Sequence, residues 1–414
     1  MLVTAIIILI GKFILEFITE ILDLRNIKLN LPSEFKDFFD GERYRNYQLY
    51  LKENIVFSLV ESFLFTLICI GFILVGGFNF LDNWVRSLGL SELVCGLIFI
   101  GILFFSLEVI FLPFSIYKTF IIEEKYGFNK TTSKTFVLDI IKSWVLILII
   151  GGLVLTLVLW LFETKGEKVW VYCWLGVSLF QLFLRFMAPV IIFPLFYKFT
   201  PIEEGELKAA IEDYAQKVGL KLKGIFKIDA SRRTSKANAF FTGLGKYKRI
   251  ALFDNLIQKL APPEIVSVLA HEAGHLKKKH TLKGFIFSVI TTGGVFYLFT
   301  FFLNNPVLFS SFGIRNLSVY LSLVLFTIFY IPLEIIFSIL GNLFSRKWEL
   351  EADKFSCATA SSSDFVLALK KLTAENFSNL RPHPFKVFLY YSHPPILERI
   401  AYIKNFITGS CLHT

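Results

Sequence analysis

Charge, cysteine and histidine are all scarce in this chain, and each shortage excludes something. Only 18% of the 414 residues are charged, against 55% hydrophobic and a mean hydropathy of +0.61. No soluble globular domain of this size needs so much apolar surface. The five cysteines, Cys69, Cys95, Cys173, Cys357 and Cys411, stand singly. Without a Cys-x-x-Cys pair, neither a cysteine metal site nor a disulfide framework is expected, and each thiol reads as a small buried hydrophobe. The six histidines all follow residue 270, which places the chemistry in the C-terminal part. The net charge of +10 does not point to nucleic acid, because the basic residues fall in loops between apolar runs and act as topology signals.

What the chain has in abundance is long apolar runs. Stretches 2–21, 55–81, 90–117, 136–162, 169–197, 284–304 and 318–344 are each long enough to cross a bilayer. The first lacks a basic leader and a small-residue cleavage site and contains Lys12 and Glu16, so it is expected to be a retained helix rather than a signal peptide. Lys and Arg crowd the loops after spans 1, 3 and 5 and the tail after span 7. The opposite loops hold only Arg86, then Lys165 and Lys168, then Arg315. The positive-inside rule puts the basic side in the cytosol. Asn129-Lys130-Thr131 matches a glycosylation sequon but falls in a cytosolic loop and reads as chance. Glu61, Glu108, Arg185 and Glu334 sit within spans, where ionisable groups face either a hydrated interior or an interhelical partner.

The decisive motif is His271-Glu272-Ala273-Gly274-His275. Two histidines at i and i+4 lie about 40° apart around a helix and reach one metal ion, while Glu272 is placed to face a water on it. A chance match is expected in roughly one such chain in several hundred. Residues 199–283 form one soluble segment: an amphipathic helix over 207–218, short strands over 224–228 and 249–253, and an extended stretch over 236–241. Pro262-Pro263-Glu264 starts the histidine helix. That helix is expected to run on past Lys277, Lys278 and Lys279 into span 6, with the lysines at headgroup level.

A catalytic metal needs a third protein ligand. The metzincin histidine position is Thr281, and His280 lies about 180° round the helix from His271, out of reach unless the helix breaks. The acids after span 7 are better placed. Glu349 and Asp353 are i and i+4 and share a face, while Glu351 points away. One acid can bind the metal and the other can hold the free N–H of a ligating histidine.

With these motifs in order, the chain resembles the type I CAAX prenyl endopeptidases, seven-span zinc metalloproteases. The likeness runs from about residue 55 to 402. It includes Glu123 to Thr132, Pro194 to Phe199, Asn238-Ala239-Phe240-Phe241, Lys248-Arg249-Ile250, the histidine helix, Glu349 to Asp353, and Ser392-His393-Pro394-Pro395 followed by Arg399. The resemblance implies a mostly α polytopic protein: seven transmembrane helices enclosing a chamber, with a small α+β zinc metalloprotease domain at the cytosolic face. Helices 1–5 occupy 1–198, the soluble segment 199–283, helices 6–7 284–344, and a C-terminal cytosolic part 345–414.

The same resemblance implies one Zn2+ held by His271, His275 and Glu349, with Glu272 as general base. Asp353 would support a ligand histidine, and His393 and Arg399 would stabilise the oxyanion or the substrate backbone. Asn238, Ala239 and Phe240 would form the edge strand on which substrate adds. The implied substrate is a prenylated C-a-a-X protein that loses its last three residues, handled by a monomer in the membrane lipid of the endoplasmic reticulum or a bacterial inner membrane. Two rivals are a broader HtpX-like quality-control protease, which has fewer spans, and a channel with a vestigial metal site, which has no need of Glu272. The chain's own end, Cys411-Leu412-His413-Thr414, lacks an aliphatic residue at His413, so self-prenylation is not expected.

Overall fold

The computed structural model describes residues 1–27, 30–164, 168–242 and 248–409. The expectations concerning Lys165 and the Cys411–Thr414 terminus lie outside them. Seven helices among these residues are long and apolar enough to cross a membrane: Leu2–Asn26, Gly41–Leu74, Glu92–Glu123, Ser133–Thr164, Val169–Phe196, His280–Phe299 and Val319–Thr359. The expected second span ran too far. Its helix starts at Gly41, where Asp40 caps the Arg43 N–H at 2.7 Å, and ends at Leu74. Gly76 then takes a left-handed conformation (φ 71°), and a separate helix, Gly77–Arg86, begins.

Two cores close the bundle at opposite ends. At the end bearing the short 87–91 and 312–318 connections, Phe99, Leu159, Cys173, Phe299, Phe309, Tyr320 and Leu321 are fully buried together. Arg86, the lone base of its loop, is held there by Asp82 at 3.0 Å and Glu92 at 2.8 Å. At the other end an aromatic cluster of Phe35, Phe39, Tyr47, Tyr50, Phe128 and Phe377 joins the second and third spans to the C-terminal helices. Between the two, burial is sparse: the most apolar window of the fifth span has 0% of its residues buried. Asn129, the sequon asparagine, is buried, and its amide bonds Glu124 at 2.9 Å and the Thr131 N–H at 2.8 Å, which leaves no room for a glycan.

The soluble segment builds a four-stranded sheet of β1 (Phe199–Pro201), β2 (Leu222–Ile228), β3 (Ala239–Thr242) and β4 (Lys248–Phe253) in the order β1-β2-β4-β3. β2 and β4 run parallel, and β1 and β3 flank them antiparallel. β3 is thus an edge strand. Ile225, Ile250 and Leu252 pack onto Ile265 and Leu269 of the helix Pro262–Lys277, so the sheet fixes the orientation of the histidine helix. Glu264 anchors that helix at its start, accepting the Ala261 N–H at 2.8 Å and pairing with Lys371 at 2.6 Å.

Candidate metal centre

Pro262–Lys277 crosses the extension of the seventh helix beyond its apolar part through small residues. Ser356 Oγ donates to the Ser267 carbonyl at 2.8 Å, and Gly274 lies against Ala352. This close approach brings Glu349 and Asp353, one turn apart, onto the histidines. His271 Nε2 and His275 Nε2 stand 3.1 Å apart. Glu349 Oε2 is 3.4 Å from the first and its Oε1 3.3 Å from the second. One atom from each of the three side chains falls within 4.8 Å of the others. Phe365 stacks on the His271 ring and excludes water from that side.

The hydrogen-bond roles make this a cation site. His271 Nδ1 faces Asp353 Oδ1 at 2.8 Å and must carry its proton there, which leaves a lone pair on Nε2. That lone pair points at His275 Nε2 and at a carboxylate, while among the described residues the buried Glu349 Oε2 meets no hydrogen-bond donor so long as His271 Nε2 carries no proton. Converging acceptors of this kind are stable only around a positive charge. Without a metal, a proton serves. Burial pushes the His271 imidazole down, but the Asp353 and Glu349 hydrogen bonds outweigh it and lift it to about 9. The donor set of two imidazoles and a carboxylate suits a divalent transition metal, and a metal entering here displaces that proton. Burial also raises the Glu272 carboxyl above the usual range, toward what a general base at neutral pH requires.

His393 and Arg399 come to the same place by different routes. His393 is exposed at the rim, with Nε2 3.3 Å from Glu349 Oε1 and Nδ1 2.9 Å from Ser392 Oγ. Arg399 is buried. Its Nε and Nη2 grip both Asp353 oxygens at 2.9 and 2.6 Å, and Nη1 lies 3.8 Å from Glu349. The guanidinium therefore faces the metal-side acids. At β3, the Phe253 N–H donates to the Asn238 carbonyl at 3.1 Å, so alternation leaves the backbone groups of Ala239 and Phe241 on the open edge. Asn238 Oδ1 occupies the Ala239 N–H at 2.8 Å, and Phe240 packs on Phe193 and Phe253.

Residues 21–198 match the family model described as CAAX prenyl protease N-terminal, five membrane helices, and residues 201–407 match peptidase family M48. The chain belongs to the CAAX prenyl proteases of family M48. It is 34% identical to the CAAX prenyl protease 1 homolog of Arabidopsis thaliana, covering 96% of each chain. It is 35% identical to the probable CAAX prenyl protease 1 of Schizosaccharomyces pombe, covering 89% of this chain and 81% of that one. The crystal structure of S. mikatae Ste24p superposes with a TM-score of 0.92 at 32% identity, covering 97% and 98% of the two chains. Like other CAAX prenyl proteases, this is a multi-pass membrane metallopeptidase.

Two residues that sequence reasoning set aside, His280 and Glu351, lie beside this prenyl protease's candidate centre. The expected continuous helix breaks: the histidine helix ends at Lys277, Lys279 is left-handed (φ 57°), and the sixth span starts afresh at His280. His280 does not join the ligand set. Its Nδ1 lies 3.1 Å from His275 Nδ1, and its Nε2 lies 3.0 Å from Glu351 Oε2. Glu351 points to His280, and the group of His271, His275 and Glu349 does not include it. Three consecutive lysines give no signal of a left-handed residue, so only the isolated His280 hinted at this.

Proposed function

We propose that the protein is a zinc-dependent endopeptidase that removes the C-terminal tripeptide from prenylated C-a-a-X proteins, acting as a monomer at the cytosolic face of its membrane. The observation that carries this is the meeting of His271, His275 and Glu349 beside Glu272, at the mouth of a seven-span bundle. The names of the similar proteins support the substrate class over a broad quality-control role. His271, His275 and Glu349 would hold one zinc ion, which supplies Lewis acidity and brings the pKa of a water to about 7.

The chain's own groups do the rest. Ala239 and Phe241 bind the substrate backbone along the open edge of β3, displacing Asn238 from the Ala239 N–H, so affinity arises with little demand on sequence. Glu272 takes a proton from the attacking water and delivers it to the leaving amine nitrogen. His393 donates from Nε2 to the oxygen on which charge develops. Arg399 holds Asp353, and Asp353 holds His271, so the arginine acts by positioning. A hydrated interior between the two cores, bordered by Glu61, Glu108, Arg185 and Glu334 of the spans, would offer apolar wall for a prenyl chain and access for water.

The test compares cleavage of a farnesylated C-terminal peptide with its unmodified form by the purified protein in lipid nanodiscs. A strong preference for the farnesylated peptide, with release of a tripeptide, is expected. Equal rates on both would replace this reading with general proteolysis.

A further inference from the structure

We infer that His280 and Glu351 form a relay that fixes the ring of His275 behind the metal site. The inference rests on the assignment of His275 Nε2 as a metal-facing atom, made above.

The hydrogen-bond directions in the relay follow from that one assignment. If His275 Nε2 keeps its lone pair for a metal, its proton is on Nδ1. Among the described residues that N–H has one partner in reach, His280 Nδ1 at 3.1 Å, which must therefore accept. A neutral imidazole accepting at Nδ1 carries its proton on Nε2, and that nitrogen faces Glu351 Oε2 at 3.0 Å. Every nitrogen in the chain of bonds has one role, and a carboxylate closes it. Both His280 nitrogens are used, so it cannot also be a ligand.

The surroundings hold the relay rigid. His280 is buried, with 3% of its side chain exposed, and Trp348 stacks on its ring with centroids 5.5 Å apart and planes 11° apart. Trp348 itself is next to the ligand Glu349 and stacks on Phe344. The left-handed Lys279 is what makes the contact: in an unbroken helix, residues five apart point about 140° away from each other. The break turns His280 back toward His275. The two ligand histidines thus receive different support. His271 has the Asp353 carboxylate directly, with Arg399 behind it, whereas His275 has a neutral imidazole with a carboxylate behind that.

The experiment measures zinc dissociation from the full-length protein by chelator competition, and the visible spectrum of the Co2+-substituted form. Glu351→Ala is the primary variant, because Glu351 is 34% exposed and its removal is expected to leave the fold intact, checked by circular dichroism. Its zinc affinity is expected to fall about 10-fold, with a changed Co2+ spectrum, and His280→Ala to fall by 10- to 100-fold. Glu351→Gln keeps an acceptor for the His280 N–H and is expected to recover most of the loss. In the His280→Ala background, Glu351→Ala is expected to add nothing, since it acts only through His280. Unchanged affinity in Glu351→Ala and His280→Ala, while His275→Ala abolishes binding, would overturn the relay and leave the metal site standing. Zinc binding that survives His275→Ala would overturn the metal site itself.

Discussion

Gly274 and Ala352 touch backbone to backbone: a Cβ placed on Gly274 would come within 3.0 Å of Ala352 Cα and 3.0 Å of Phe355 Cβ. The histidine helix and the acid-bearing helix can approach this closely only because position 274 has no side chain. Gly274→Ala therefore pushes the imidazoles away from Glu349 by a few tenths of an ångström. Since misplacement of reacting groups by 1 Å costs on the order of 100-fold in rate, a loss of roughly 10-fold in kcat/KM is expected. Steady-state kinetics of the variant, with circular dichroism to show a retained helix content, checks it.

Glu272 faces the reacting water and binds no metal in this account. Glu272→Gln is expected to keep one zinc per chain and to lose about 100- to 10,000-fold in kcat, the range for a missing general base. Metal analysis and turnover on the same preparation separate this from a ligand role, in which both would fall.

Arg399 was expected to stabilise the oxyanion or the substrate backbone; in the structure it grips Asp353 at 2.6 and 2.9 Å. Arg399→Ala is expected to weaken zinc retention about 10-fold through the loosened Asp353, with little change in peptide KM at saturating zinc. A raised KM with unchanged zinc affinity would return the arginine to direct substrate contact.

Glu375 ties the membrane part to the protease part. Arg43 at the start of the second span reaches it at 2.5 Å and Lys259 at 2.8 Å. Burial would raise the carboxyl, but Lys259 and Arg43 outweigh it and hold it below the usual glutamate range. A carboxyl lowered by folding stabilises the fold fully above its unfolded value of about 4.3, and that contribution fades as pH falls through the lower folded value. Glu375→Gln is expected to lower stability by about 1 kcal/mol at pH 7. Thermal melts of both proteins should converge as the pH is lowered below about 4.

The sequence disclosed those parts of the site whose geometry is local. His271, Glu272 and His275 share one helix, and the i, i+4 spacing of Glu349 and Asp353 marked the facing helix. The seven spans were legible because bilayer thickness demands long apolar runs, though the second was misjudged at Gly76, where a backbone turn interrupts an apolar run. β2 and β4 came from short apolar runs and β3 from the extended stretch, whereas β1 was not foreseen and the pairing order needed the tertiary structure. What escaped depends on backbone breaks and distant packing: the left-handed Lys279 that brings His280 back to His275, and the burial that turns Arg399 inward.

The most direct test of the central claim is the position of the metal, read by anomalous diffraction at the zinc edge from crystals of the active protein. One strong peak is expected at coordination distance, about 2.0–2.3 Å, from His271 Nε2, His275 Nε2 and a Glu349 oxygen. A peak elsewhere, or none in crystals that cleave peptide when dissolved, would contradict it.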